Sequence, residues 1–182
     1  MTLITEEYRD LNKQLHVDRP DYGAGTATGK HVPQIRDLAS ALHTDDILDY
    51  GCGKGHLARA LSHMIINEYD PAMEGKDAPP APAGLVVCLD VMEHVEPGCL
   101  DDVLDDLLRC TLKGIFLTVA TRPARKTLAD GRNAHLIQEP PEWWLPKIMA
   151  RWDLRLFQAV TGEFAIFALK HAVNGNGKDK TE

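Results

Sequence analysis

The feature that most constrains the fold is a short apolar run that ends in an acid and is followed by three glycines at every second position. In the stretch ILDYGCGKGHLARAL, residues 47–61, glycines occupy positions 51, 53 and 55, between a predicted buried strand and a predicted helix. Glycine is needed where φ must be positive, or where the backbone must approach a ligand that a Cβ atom would block. Three glycines in five positions exceed what one turn requires, so the stretch predicts a small-molecule site.

Strand and helix patterns alternate along the rest of the chain. Strands are predicted at four places, and the last two predicted strands form a hairpin across Thr161-Gly162. The four single strands are residues 47–50, 64–69, 85–89 and 115–119. This order predicts an α/β protein with a mostly parallel sheet and one antiparallel strand.

Composition excludes several classes of function. The chain has 182 residues, the size of a single domain, and a net charge of −7, which disfavours nucleic-acid and membrane-surface partners. Its four cysteines have neither CxxC nor zinc-site spacing, and no signal peptide or membrane-spanning run is recognisable. We therefore expect a cytoplasmic protein with reduced thiols and a small-molecule substrate, whose oligomeric state the sequence leaves open.

Four chemically unusual segments follow the predicted strands. They are residues 49–55, 70–71, 90–94 and 121–135. Ligands of open parallel sheets bind beyond the carboxyl ends of the strands. The four segments are therefore expected to form one site.

The spacing of the glycines indicates a ligand other than a dinucleotide. A dinucleotide fold has G-x-G-x-x-G, whereas His56 follows the third glycine here and Asp49 precedes the first by two positions. An acid in that place suits a cation better than a pyrophosphate. Asp70, at the end of the next strand, can bind both hydroxyls of a ribose. A ligand with a ribose, positive groups and no phosphate is S-adenosylmethionine.

On these residues the chain resembles the class I S-adenosylmethionine-dependent methyltransferases, in particular the small type 11/12 enzymes. ILDYGCGKG is similar to the first motif of that family, NEYDPA to the second and LVVCLDVMEHVEP to the strand-four motif. The resemblance implies a single Rossmann-like domain with a seven-stranded sheet, whose third strand is short or absent in GKDAPPAPAG. We assign residues 1–173 to this domain, residues 1–44 to a helical lid over the cofactor, and residues 174–182 to a disordered tail.

The resemblance also implies which residues bind the cofactor. The first motif would surround the methionine part, Asp70 would hold the ribose, and the strand-four segment would pass beneath the sulfonium. The implied set is Asp49, Tyr50, Gly51, Gly53, Tyr69, Asp70, Pro71, Leu89 and Asp90. Because the third strand is reduced, Asp77 is the only acid left for the adenine amino group.

The long loop after residue 120 is predicted to bind the methyl acceptor. Its arginines 122, 125 and 132 suit a carboxylate or phosphate, and Trp143 is expected to be a wall of the pocket. The predicted function is methyl transfer to an oxygen or nitrogen of a small anionic molecule. The alternatives are a metal-assisted RNA or nucleotide 2′-O-methyltransferase and a catalytically silent S-adenosylmethionine-binding subunit.

Catalysis is assigned to Asp90, His94 and His135, since either histidine could remove a proton from an oxygen acceptor. Glu93, His94 and His135 are also similar to the metal-binding set of small-RNA 3′-terminal 2′-O-methyltransferases. A divalent metal is therefore an alternative, although we favour a metal-free role. The four aspartates at 101, 102, 105 and 106 are predicted to form the solvated face of a helix.

Overall fold

The computed structural model describes residues 1–23 and 28–171. The tail predicted at residues 174–182 lies outside this range. Residues 24–27, in the glycine-rich segment of the predicted lid, also lie outside it.

Helices and strands alternate as the sequence predicts. The helices are α1 (Glu6–Asp18), α2 (Thr28–Ala41), α3 (His56–Ala60), α4 (Leu100–Cys110) and α5 (Pro141–Met149). The strands are β1 (Asp46–Tyr50), β2 (Ile65–Tyr69), β3 (Ala83–Leu89), β4 (Thr111–Ala120), β5 (Trp152–Val160) and β6 (Glu163–Lys170). Within the described residues, no helix is long and apolar enough to cross a bilayer.

The strands form one sheet in the order β2-β1-β3-β4-β6-β5. The first four are parallel, and β6 runs antiparallel to both of its neighbours. The chain passes from β1 to β2 on one side of β1, and then crosses from β2 to β3 on the other side. The strand order therefore reverses at β1. The carboxyl ends of β1 and β3 flank this point, where ligands of open α/β sheets bind.

The seven-stranded sheet expected from the resemblance is wrong, since the described residues form six strands. The third strand, expected to be short or absent, is absent from residues 70–82 between β2 and β3. This segment contains four prolines, which cannot donate a ladder hydrogen bond. Its start closes instead into a turn, in which the Asp70 N–H donates to the carbonyl oxygen of Lys76 at 2.9 Å.

Helix α4 is amphipathic as predicted, but one of its aspartates is not solvated. Asp106 is only 3% exposed, so the prediction for this residue is wrong. Asp106 follows the buried Val103 by three residues and precedes the buried Cys110 by four. Its side chain therefore lies at the margin of the buried face of α4. The Tyr50 hydroxyl donates to Asp106 Oδ2 at 3.0 Å, and Arg109 Nε donates to Oδ1 at 2.8 Å. Asp106 thus connects α4 to the end of β1.

Removing this carboxylate should destabilise the fold. We expect Asp106→Ala to lower the free energy of unfolding in urea by about 1–3 kcal/mol, because the buried Tyr50 hydroxyl loses its acceptor. Asp105→Ala is the matched control: its exposed pair with Arg151 contributes at most about 1 kcal/mol. In the Asp106→Ala background, Tyr50→Phe should then cost little. Fully additive effects of the two changes would contradict this assignment.

Candidate active site

The loop between β1 and α3 packs closely against neighbouring protein segments. Gly51, Gly53 and Gly55 have φ angles of 79°, 49° and 71°, which other residues rarely adopt. A Cβ atom on Gly51 would overlap the Val91 side chain, and one on Gly53 would lie 3.0 Å from the carbonyl oxygen of Gly23. Glycine is therefore required at these two positions because other segments of the protein approach the backbone closely.

Asp70 fixes this loop to the end of β2. Its Oδ2 accepts the N–H of Gly53 at 3.0 Å, and its Oδ1 accepts the N–H of Ala72 at 2.9 Å. The residue is 8% exposed, so both bonds are shielded from water. Each carboxylate oxygen can accept a second hydrogen bond, which leaves Asp70 able to bind a hydroxyl group of a ligand.

Asp49, at the end of β1, is a buried acid whose charge is poorly compensated. It is 5% exposed. Burial, together with the negative charge of Glu68, raises the pKa of Asp49 to about 7, although Lys76 opposes this shift. A cationic ligand beside Asp49 would favour its ionised form.

Two cavities meet at the carboxyl edge of the sheet. The first, about 140 Å³, is lined by α1 and by Tyr50, Gly51, Gly53, Tyr69, Asp70 and Pro71. The second, about 590 Å³, is lined among others by Asp49, Leu89, Arg122, Arg125 and His135. Both are lined by Tyr22, Gly23, Gly51, Asp90 and His94. The four segments predicted to form one site are therefore brought together, whereas Asp77 is exposed and lines neither cavity.

The N-terminal helix forms a wall of the first cavity. Tyr8 Oη donates to the carbonyl oxygen of His94 at 2.6 Å, and Thr5 Oγ1 donates to Glu96 Oε1 at 2.8 Å. Helix α1 thus lines the cavity, and its action as a lid stays a prediction. Sequence reasoning missed the cavity-lining side chains of α1, namely Tyr8, Asn12 and His16. Their spacing of four residues, which puts polar groups on one helical face, was a usable signal.

The two histidines assigned to catalysis lie side by side. Their ring centroids are 4.8 Å apart and the rings are perpendicular. Nδ1 of His94 lies 2.7 Å from the carbonyl oxygen of Ala134, and Nδ1 of His135 lies 2.6 Å from that of Arg122. A carbonyl oxygen only accepts, so each Nδ1 carries the proton and each Nε2 keeps a lone pair.

Both imidazoles are neutral at pH 7. Burial and the neighbouring His135 lower the pKa of His94 to about 3. Burial also lowers the pKa of His135. The two Nε2 atoms therefore keep free lone pairs at neutral pH, and the lower pKa makes His94 a weak base.

Glu93 lies behind the histidines and is fully buried. Its Oε1 accepts the N–H of Ala120 at 3.1 Å, while Oε2 has no partner among the described residues. Burial, with the charge of Asp90, raises the pKa of Glu93 to about 8. One possible ligand atom from each of Glu93, His94 and His135 lies within 4.8 Å of the others. The set predicted from the sequence therefore converges in space.

Asp90 occupies the boundary between the cavities in a strained conformation. Its φ is 54°, a left-handed value that is uncommon for residues other than glycine. Thr118 Oγ1 donates to Asp90 Oδ1 at 2.7 Å and accepts the Asp90 N–H at 3.0 Å. Strain held by such bonds is common at functional sites.

The loop after β4 is held in place by Asn133. Its Oδ1 accepts the N–H groups of Ala124 and His135, both at 2.9 Å, and its Nδ2 donates to the Ala124 carbonyl oxygen at 2.9 Å. The side chains of Arg122 and Arg125 are exposed where the loop lines the second cavity. The loop therefore has an ordered backbone that presents two cations to this cavity.

Two residues predicted to bind the acceptor line neither cavity. The guanidinium group of Arg132 pairs at 2.6 Å with the carboxylate of Asp130, two residues before it. It also lies over the Tyr8 ring. Trp143 packs edge-on against Trp144, which is fully buried and fixes α5 on the core. Neither cavity receives these two side chains.

Comparisons with known proteins identify the fold. No protein-family model matches the chain, and no curated protein sequence matches it. Three of the solved structures that match it are methyltransferases.

The first is the 1,6-didemethyltoxoflavin-N1-methyltransferase of Burkholderia thailandensis, with its substrate and S-adenosylhomocysteine bound: 15% identity, TM-score 0.63, covering 93% of this chain and 92% of that one. The second is the magnesium protoporphyrin IX methyltransferase of Synechocystis, with bound S-adenosylhomocysteine: 13% identity, TM-score 0.66, covering 90% and 97%. The third is the N-methyltransferase NodS of Bradyrhizobium japonicum, in complex with S-adenosylhomocysteine: 13% identity, TM-score 0.60, covering 91% and 99%. The chain therefore has the fold of the class I S-adenosylmethionine-dependent methyltransferases, as its motifs predict.

Proposed function

We propose that the protein transfers a methyl group from S-adenosylmethionine to an oxygen or nitrogen atom of a small anionic molecule. The observation that carries this proposal is the meeting of the two cavities at Asp90 and His94. A cofactor that reaches from the first cavity across this boundary, with an acceptor bound in the second cavity, would bring the methyl group and the attacking atom together.

The residues of the two cavities suit the parts of the cofactor. The first cavity, at Tyr69, Asp70 and Pro71, is small and suits the adenosyl group, with Asp70 accepting from the ribose hydroxyls. The methionine part would then extend into the second cavity beside Asp49 and Leu89. The buried Asp49 carboxyl favours a cation, which the sulfonium and the ammonium group supply.

The chemistry asks the protein for alignment and for removal of a proton. Bound S-adenosylmethionine would supply an electrophilic methyl group on sulfur. The cavity walls hold the acceptor in line with the methyl carbon and exclude water. For a hydroxyl acceptor, Nε2 of His94 or His135 would take the hydroxyl proton as the methyl group is transferred to the oxygen. A neutral amine needs no base before the transfer.

Two arginines of the second cavity support an anionic acceptor. Arg122 and Arg125 line it. Of the other two cations of this loop, Lys126 is paired with Asp21 at 2.9 Å and Arg132 with Asp130 at 2.6 Å. Two guanidinium groups match the geometry of a carboxylate or phosphate group on the acceptor.

A metal-assisted form of the same reaction, which would suit a nucleotide 2′-hydroxyl, is the second candidate. The donor set fits a divalent metal, because Glu93 Oε2 is buried without a partner among the described residues and both histidines keep Nε2 lone pairs. Glu93, His94 and His135 would hold the ion, and bound metal would lower the pKa of a hydroxyl acceptor. The third alternative, a silent subunit, would bind the cofactor without turnover.

The cofactor is tested by Asp70→Ala. We expect S-adenosylhomocysteine to bind the protein, and the variant to lose about 1–3 kcal/mol of binding free energy or more in calorimetry, because the ribose and the N–H of Gly53 both lose their acceptor. Asp77→Ala, which removes an exposed acid of the same loop, should bind like the wild type. Binding of NAD or a nucleoside triphosphate, with none of S-adenosylhomocysteine, would falsify the proposal.

The acceptor site is tested by Arg125→Ala. Label transfer from methyl-labelled S-adenosylmethionine to a fractionated metabolite extract should identify an anionic product. The variant should raise the KM for that acceptor about tenfold, the effect of losing a charge-assisted hydrogen bond, and leave cofactor affinity unchanged. Arg132→Ala is the control, since Arg132 pairs with Asp130 and lines neither cavity. No transfer to any fraction would favour the silent subunit.

The metal is tested by activity before and after exhaustive EDTA treatment, with elemental analysis of both samples. In the favoured metal-free reaction, stripped protein keeps full activity, and His135→Ala lowers kcat by about 10²-fold or more, as expected for loss of a general base. Loss of activity on stripping and its recovery with Mn²⁺, Mg²⁺ or Fe²⁺ would instead select the metal-assisted reaction.

A further inference from the structure

The turn of the C-terminal hairpin is a part of the molecule that the proposed reaction does not use. Gly162 lies in this turn between β5 and β6 and has a φ of 81°. Its carbonyl oxygen accepts the N–H of Thr121, the residue after the end of β4, at 2.9 Å. The turn is therefore attached to the chain at the point where the loop of residues 121–135 begins.

The side chain of Arg122 lies across this turn. A Cβ atom on Gly162 would be 2.9 Å from Cδ of Arg122, 3.3 Å from Cγ and 3.4 Å from Nε. The first distance is too short for two carbon atoms, whose favourable separation is about 3.5–4.0 Å. Cγ and Cδ belong to the stem of the arginine, so a Cβ at position 162 would displace the guanidinium group that the stem carries.

Packing, rather than an ion pair, places the side chain of Arg122. The ion pairs of this loop are made by Lys126 and Arg132, and Arg122 has none among the described residues. Arg122 nevertheless lines the second cavity, and its carbonyl oxygen lies 2.6 Å from Nδ1 of His135. The contact with the turn is therefore what directs this guanidinium group to the cavity.

The hairpin turn is held from two sides. Glu163, the first residue of β6, pairs with Lys30 of α2. Ala120, the last residue of β4, is opposite Glu163 in the antiparallel ladder. Thr28, the first residue of α2, lines the second cavity. The turn beneath Arg122 is therefore a fixed support, because α2 and β4 both hold it.

We propose that Gly162 is a positioning residue for the methyl acceptor: because it carries no Cβ, the stem of Arg122 lies over the turn and directs the guanidinium group to the anionic group of the acceptor. The inference rests on the proposed function, in which Arg122 binds a carboxylate or phosphate. A guanidinium group binds such an anion through two parallel hydrogen bonds, which require its plane to be oriented. A displaced stem would therefore weaken binding without removing the charge.

The test uses inorganic phosphate as the probe, so that it depends neither on the identity of the acceptor nor on methyl transfer. NMR follows the Nε–H signals of the arginines during a phosphate titration at constant pH and ionic strength, and Arg122→Ala identifies the signal of Arg122 by its loss. In the wild type this signal should shift and saturate. In Gly162→Ala the dissociation constant measured at Arg122 should rise about three- to tenfold, as expected when one hydrogen bond is lost.

Two further substitutions separate the contact with Arg122 from backbone strain. Gly131 has a φ of 87°, and a Cβ there would have no described atom within 4 Å. Gly131→Ala therefore carries similar strain and should leave phosphate binding at Arg122 as in the wild type. Asn adopts left-handed φ more readily than Ala. Gly162→Asn should therefore melt closer to the wild type than Gly162→Ala does, and still weaken phosphate binding.

Three results would overturn the inference. Equal phosphate binding at Arg122 in the wild type and in Gly162→Ala removes the role of Gly162 and leaves the proposed function standing. Equal weakening in Gly162→Ala and Gly131→Ala assigns the effect to backbone strain alone. Absence of a phosphate-dependent shift of the Arg122 signal in the wild type removes this anion site and the inference with it, while label transfer to an anionic product decides separately on the proposed function.

Discussion

The site depends on one buried carboxylate that holds two segments of backbone. Asp70 accepts the N–H of Gly53 from the loop after β1 and that of Ala72 from its own turn. The carbonyl oxygen of Gly23 accepts the N–H of Lys54 in that loop at 3.2 Å, which brings the N-terminal segment to the same place. Two of these hydrogen bonds are accepted by the Asp70 side chain, and the third attaches Gly23 to the loop that Asp70 holds.

This arrangement changes how the glycine-rich motif is understood. The sequence indicates that glycines are required, and it favours a ligand as the reason. In the structure, Gly51 and Gly53 leave room for Val91 and for the backbone of Gly23. The motif therefore acts first by letting three chain segments converge, and a cavity forms where they do.

Much of the fold and part of the site could be predicted from the sequence. Apolar runs followed by acids or glycines mark the strand ends, and the switch-point rule brings Asp90, His94 and His135 to one edge. Local patterns do not report partners that come from distant segments. Asp106 is buried because Tyr50 approaches it from β1, and Arg132 is withdrawn from the cavities by a nearby aspartate. The polar side chains of α1 can be recognised as part of the site only when the structure shows that this helix lies against the cavity.

The hydrogen bonds made by the two histidines restrict how protons can move. In each ring, the Nδ1 proton is directed to a backbone carbonyl oxygen, Ala134 for one ring and Arg122 for the other. Neither oxygen can receive a proton and pass it on, since an amide carbonyl is a very weak base. A proton taken up at Nε2 must therefore leave from the same nitrogen. In the proposed reaction, either ring would return a proton from the nitrogen that took it up, and neither would conduct it through the protein.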